Sequence, residues 1–121
     1  MKTNKGYYSI IQYIPDPGRL EAINVGITLV VPDANSTATS VGHEDYSRLL
    51  SMFPDADIGR LALALSTLAT RIGQTSPTKA RIELLVSKLA NEVRMTPLRF
   101  IKVTERPREA LKKLRAELVD V

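Results

Sequence analysis

Residues 7–14 are rich in Tyr and Ile with one Gln, polar and apolar residues alternate along 24–29, and further on the apolar positions recur at steps of three and four. In the first stretch Tyr8, Ile10, Gln12 and Ile14 share one face, and Tyr7, Ser9, Ile11 and Tyr13 share the other. Both faces are largely apolar, which predicts a central strand. Pro15, Asp16, Pro17 and Gly18 end it, because each proline lacks a donor N–H and glycine tolerates positive φ. In the second stretch the alternation puts Val25, Ile27, Leu29 and Val31 on one face and Asn24, Gly26, Thr28 and Val30 on the other. Gly26 inside a strand marks a bulge or a close backbone approach. The two strands are predicted to pair antiparallel across a broad connection. A short third strand is expected near 38–42. A fourth is expected at 98–103, where Leu98, Phe100 and Lys102 alternate with Arg99, Ile101 and Val103.

The helical spacings predict four further elements. Tyr46, Leu49, Leu50 and Phe53 suggest a short helix over 44–53. Ile58, Leu61, Leu65, Leu68 and Ile72 form one stripe of an amphipathic helix at 56–72, with Asp55 or Asp57 as its N-cap and Gly73 as its stop. Thr78 is placed to cap a helix running to 93, with Ile82, Leu85, Val86, Leu89 and Val93 inward. Pro107 suits a first helical position, and Leu111, Leu114, Leu118 and Val121 stripe the last helix. The expected fold is α+β: one small antiparallel sheet covered by about three to four helices, in a single domain over 1–121.

Composition narrows the chemistry. The 121 residues are 44% hydrophobic and 25% charged, ordinary for a globular protein. With no Cys, disulfides, thiolate catalysis and Cys-based metal sites are excluded. No stretch is long and apolar enough to span a bilayer, and the N-terminal MKTNKGYYSI lacks the apolar core of a signal peptide, so a cytoplasmic location is expected. The net charge of +4 is uneven. Residues 1–70 hold five Lys/Arg against seven Asp/Glu, whereas residues 71–121 hold twelve against six. Such a basic half attracts nucleic acid or an acidic partner, or is simply a solvated helical surface.

The string YSIIQYIPDPGRLEAINVGITLVVP at 8–32 resembles the start of the domain of unknown function 3037 family. The positions that carry the likeness are Tyr8, Ser9, Gln12, Tyr13, Pro15, Asp16, Arg19, Glu21, Asn24 and Gly26. The ending LRFIKVTERPREALKKLRAELV is similar in its strand-then-helix form. The resemblance implies a small cytoplasmic protein of bacterial or phage origin without a settled activity. It also implies a protein partner, a HipA-like kinase, since some members lie beside such genes. Gln12 departs from the pattern, because many members have Arg there, and an anion bound by that Arg would be held less well here.

Three constellations merit a chemical reading. Asp16, Arg19, Glu21 and Asn24 form a candidate binding turn, since a carboxylate pair beside an Arg positions a phosphate or binds a metal. The same residues also suit a purely structural turn, with Asp16 accepting turn N–H groups, Arg19 paired with Glu21, and Asn24 capping the returning strand. His43, the single histidine, has acidic neighbours in Glu44 and Asp45 but no second His or Cys to complete a metal set. Arg99, Lys102, Arg106, Arg108, Lys112 and Arg115 form a candidate basic surface, interrupted by Glu105, Glu109 and Glu117. Nucleophile-elbow and phosphate-loop motifs are missing. No catalytic residue, cofactor or metal is expected. The leading expectation is a non-catalytic interaction or regulatory module that binds another protein. The alternatives are a nucleic-acid-binding protein using the basic half and, if Asp16, Glu21 and Asn24 converge, a metal-dependent hydrolase or nuclease.

Overall fold

A computed structural model describes residues 3–19, 21–89 and 92–120. Among the described residues five strands form one sheet: β1 (Asn4–Tyr13), β2 (Ile23–Val31), β3 (Ser36–Val41), β4 (Val93–Met95) and β5 (Arg99–Val103). All pairings are antiparallel, in the order β3, β2, β1, with β4 and β5 end to end along the far side of β1. The helices are α1 (Ser47–Met52), α2 (Ile58–Gly73), α3 (Lys79–Lys88) and α4 (Pro107–Leu118). Among the described residues no helix is long and apolar enough to cross a membrane.

The sheet is covered on both faces, so two hydrophobic cores share it. On one face Ile11, Tyr13, Val30 and Met95 pack with Leu49 of α1, Leu61 to Ile72 of α2, and Ile82 and Leu85 of α3. On the other, Ile27, Leu29, Val31 and Val103 pack with Ala110, Leu111 and Leu114 of α4. This is the expected α+β arrangement, with the central pairing of β1 and β2 running Tyr7 opposite Val30 to Tyr13 opposite Ile23.

One expected face assignment is corrected by a bulge. Ile11 lies opposite Gly26 but Gln12 lies opposite Asn24, leaving Val25 as the extra residue. An extra residue in a strand whose side chains have period two reverses their sides. Ile23 and Val25 therefore join the core under α2, whereas Ile27, Leu29 and Val31 face α4. Gly26 is required there, because a Cβ would lie 2.8 Å from the Ser40 carbonyl oxygen and 3.2 Å from the Val41 Cα.

The third helix is shorter than its spacing predicts. It ends at Lys88, Leu89 is only partly buried, and Val93 belongs to β4, a strand the sequence did not announce. The predicted stripe position Val121 lies outside the described residues. The predicted caps of the neighbouring elements hold. Asp57 accepts from the Arg60 N–H at 3.0 Å and Thr78 from the Arg81 N–H at 3.3 Å, while Pro107 opens α4. Between β4 and β5, Thr96 ties the corner to β1: its Oγ1 accepts from Ile10 N–H at 2.9 Å and its carbonyl accepts from Ser9 Oγ at 2.5 Å.

Candidate functional site

The turn after β1 divides the four residues read there. Asp16 Oδ1 accepts from Gly18 N–H at 3.1 Å and its carbonyl from Arg19 N–H at 3.1 Å, an ordinary Asx turn opening a single 3-10 turn at Pro17–Arg19. Arg19 and Glu21 stand 3.7 Å apart with side chains 70% and 45% exposed, a solvent-screened surface pair. Asn24 points elsewhere. Its Nδ2 donates to the Leu118 carbonyl at 2.8 Å and its Oδ1 accepts from Gln12 Nε2 at 3.0 Å. That carbonyl is one of the last four of α4, which have no partner within the helix. Both ends of the Asn24 amide are thus occupied. Among the described residues no group of three or more His, Asp or Glu is gathered to hold a metal ion.

A polar cluster joins Asn24 to the last turn of α4 through His43. His43 Nε2 lies 2.9 Å from the Asn24 carbonyl oxygen, which only accepts, so this nitrogen carries the proton in the neutral ring. Nδ1 is then the acceptor, facing an Arg115 guanidinium N–H at 3.5 Å. The Arg115 side chain, 17% exposed, turns inward: it donates to Ser40 Oγ at 2.8 Å, to the Gly42 carbonyl, and through Nε to both Asp120 oxygens at 3.2 and 3.3 Å. The cluster fastens the start of β2, the loop after β3 and the end of α4. Sequence spacing grouped Arg115 with Arg108 and Lys112 and gave no sign that it faces inward; the links of His43 to Asn24, Arg115 and Asp120 are likewise between residues distant in sequence. A pocket of about 320 Å³ opens beside the cluster between Asn24, His43, Met52, Leu118 and Asp120. Asp45 at its rim is held below the usual carboxylate range by the Ser47 hydroxyl and N–H, which donate to Oδ1 at 2.5 and 2.8 Å. Both His43 nitrogens are engaged in the cluster, Nε2 at 2.9 Å and Nδ1 at 3.5 Å.

The basic residues read from the sequence do not assemble into one surface. Arg99 lies opposite Tyr8 on the α4 side of the sheet, and Lys102 lies opposite Lys5 on the α3 side. Arg106 precedes α4 as its N-cap, while Arg108 and Lys112 are exposed on its outer face. Arg115 leaves the group for the cluster above. Lys113 instead reaches back 2.7 Å to Glu105.

A groove of about 630 Å³ runs between α2 and the β1–β4 end of the sheet. Ile14, Leu61, Leu68, Leu89 and Val93 line it, with Arg60, Arg71 and Glu92 at the margins. Leu63 also lines it and is 70% exposed, the most exposed large hydrophobic side chain among the described residues. Nothing in the packing of α2 requires a leucine there, since Leu61, Leu65, Leu68 and Ile72 already supply its buried stripe.

The architecture defines a small α+β protein: an antiparallel sheet between helices, with an apolar groove at one end and a hydrogen-bonded polar cluster at one side. Residues 8–119 match the family described as protein of unknown function (DUF3037), and the chain belongs to that family. No curated protein and no solved structure matches it.

Proposed function

We propose that the chain is a non-catalytic cytoplasmic interaction module and that its protein partner docks in the groove between α2 and β4. The observation that carries this reading is Leu63. A leucine left 70% in water at the rim of an apolar groove costs nothing in the fold and gains area only when covered. Arg60 and Arg71 outnumber Glu92 at the margins, which favours a partner segment that presents an apolar side chain flanked by acidic ones. The engaged nitrogens of His43 support a non-catalytic role. By family resemblance a HipA-like kinase is the first partner to try.

Titration of a HipA-like kinase from the same host against the chain, by calorimetry, tests this reading. Saturable binding is expected, and Leu63→Asp should weaken it at least about tenfold with the melting temperature unchanged, since a central interface anchor contributes upwards of about 1.4 kcal/mol. Undiminished binding by Leu63→Asp rejects the groove. A wild-type dimer that Leu63→Asp makes monomeric, seen by light scattering, rejects the heterologous partner in favour of a second copy.

A further inference from the structure

At the end of β1 remote from the groove, one sheet face is only partly covered and has an unusual composition. Two successive same-face rungs join β1 to β5: Tyr7 opposite Phe100, and Lys5 opposite Lys102. Ile101 and Val103 pack on the α4 side, so the alternation puts Phe100 and Lys102 on the other side, together with Tyr7 and Lys5. The core under α2 and α3 includes Ile11, Tyr13 and Met95 further along the sheet but neither Tyr7 nor Phe100. Phe100 is 52% exposed. Its ring and that of Tyr7 are T-shaped, centroids 6.0 Å apart at 71°, and so are not stacked in parallel. Lys79, at the start of α3, brings its Nζ to 5.4 Å from the Tyr7 ring centroid.

The lysine rung is the decisive feature. Like charges directly opposite on an antiparallel pair destabilise the sheet. Lysine on an edge strand guards against unwanted strand pairing, and this accounts for Lys102 on β5. It does not by itself call for a second lysine, Lys5, directly opposite Lys102 at the end of β1 beyond its pairing with β2. Among the described residues neither ammonium group has an ion-pair partner. Two lysines at directly opposite positions can share an anion between their ammonium groups. Two residues along the strand, about 6.7 Å away, the anion's neighbour would lie against an exposed aromatic ring.

We propose that the face formed by Lys5, Tyr7, Phe100 and Lys102, bordered by Lys79, binds single-stranded nucleic acid, with a phosphate between the lysines and a base stacked on Phe100. Exposed aromatic rings next to cationic side chains are the general recognition elements for unpaired bases and their backbone. A single strand is favoured over a duplex because bases within a duplex have their faces already stacked. This surface is also separate from the one read from the sequence: of the six basic residues in that reading it uses only Lys102. Nor does it depend on the groove, which lies at the other end of β1.

The experiment is fluorescence anisotropy with labelled oligothymidylate and oligouridylate, against a duplex of equal length, at low and moderate salt. Micromolar single-strand binding that weakens with salt is expected, with the duplex bound more weakly. Phe100→Leu keeps an apolar side chain and removes the ring, and should lower affinity about tenfold. Lys5→Gln with Lys102→Gln should lower affinity by a similar factor while the melting temperature holds or rises, because the facing charges are gone. A purely structural role predicts the opposite sign for that melting change. Arg108→Gln with Lys112→Gln, on the outer face of α4, should change affinity little. The proposal is overturned by absent single-strand binding at micromolar protein, by equal affinity for the duplex, by an unaltered affinity in Phe100→Leu, or by capture of a protein on this face that excludes the oligonucleotide.

Discussion

At Gly26 the absence of one atom sets the course of the sheet. A methyl group there would meet the Ser40 carbonyl oxygen at 2.8 Å, and that oxygen is backbone, so β2 and β3 would have to part. Gly26→Ala should therefore destabilise by about 1–3 kcal/mol in denaturant unfolding, the range of overpacked positions. Gly73 gives the opposite sign. A Cβ there meets nothing within 4 Å and the residue is helical, so Gly73→Ala should stabilise by about 0.4–1 kcal/mol. Equal effects at the two sites would show that general glycine flexibility, and not the close approach at Gly26, matters. Asn24 is the other residue whose role is local. Alanine there leaves the Leu118 carbonyl and the Gln12 amide without their partner, which should cost about 1–3 kcal/mol. Aspartate is expected to be no better, since it cannot donate to Leu118 and sets a negative charge against the C-terminal end of α4. Melting curves of Asn24→Ala and Asn24→Asp check both statements.

Between elements, the readable parts of the fold are those whose spacing has room to repeat. The 16-residue α2 shows a full stripe, and the alternation of β1 and β2 predicts their pairing. β4 is three residues long, too short for alternation to stand out, and Val93 also continues the step of four from Leu89, so it read as helix. The bulge had its sign in Gly26, but strict alternation carried Val25 to the wrong face. The Asx turn at Asp16 was readable because its partners are sequence neighbours. The inward course of Arg115 was not, because Ser40 and Gly42 lie more than 70 positions away along the chain. One tie across eight positions of the chain is testable by pH. Lys113 donates to Glu105 at 2.7 Å, holding the Glu105 carboxyl below its ordinary 4.5 and the Lys113 ammonium above its ordinary 10.5. The pair's contribution is complete between those two values. It fades as pH falls through the lowered Glu105 value and as pH rises through the raised Lys113 value. The melting-temperature difference between the wild type and Glu105→Gln should thus be flat from about pH 5 to pH 10 and shrink in acid. A difference that grows in acid would show that Glu105 acts through something other than its charge.

For the molecule as a whole, the question is whether two cores make one cooperative unit. β2 answers it structurally, because Ile23, Val25 and Val30 belong to one core and Ile27, Leu29 and Val31 to the other. Neither core can lose its strand without dismantling the other, so unfolding should be a single transition. Leu65 in the α2 core and Leu114 in the α4 core are both buried, on opposite sides of the sheet. Truncating either to alanine removes transfer energy and leaves a cavity, at a cost of about 2–5 kcal/mol each. They share no partner, so the double variant should cost the sum of the two within about 0.5 kcal/mol. Each single variant should also move the whole transition, whether followed by far-ultraviolet circular dichroism or by tyrosine fluorescence. Tyr13 reports on the α2 core and Tyr8 packs against the α4 core. A second transition, or a Leu114→Ala variant that melts the α4 side while the α2 side persists, would mean that the bulged strand β2 does not couple the two faces. The groove and the face of Lys5, Tyr7, Phe100 and Lys102 both lie on the α2–α3 side of the sheet, so they would then persist together while α4 melts.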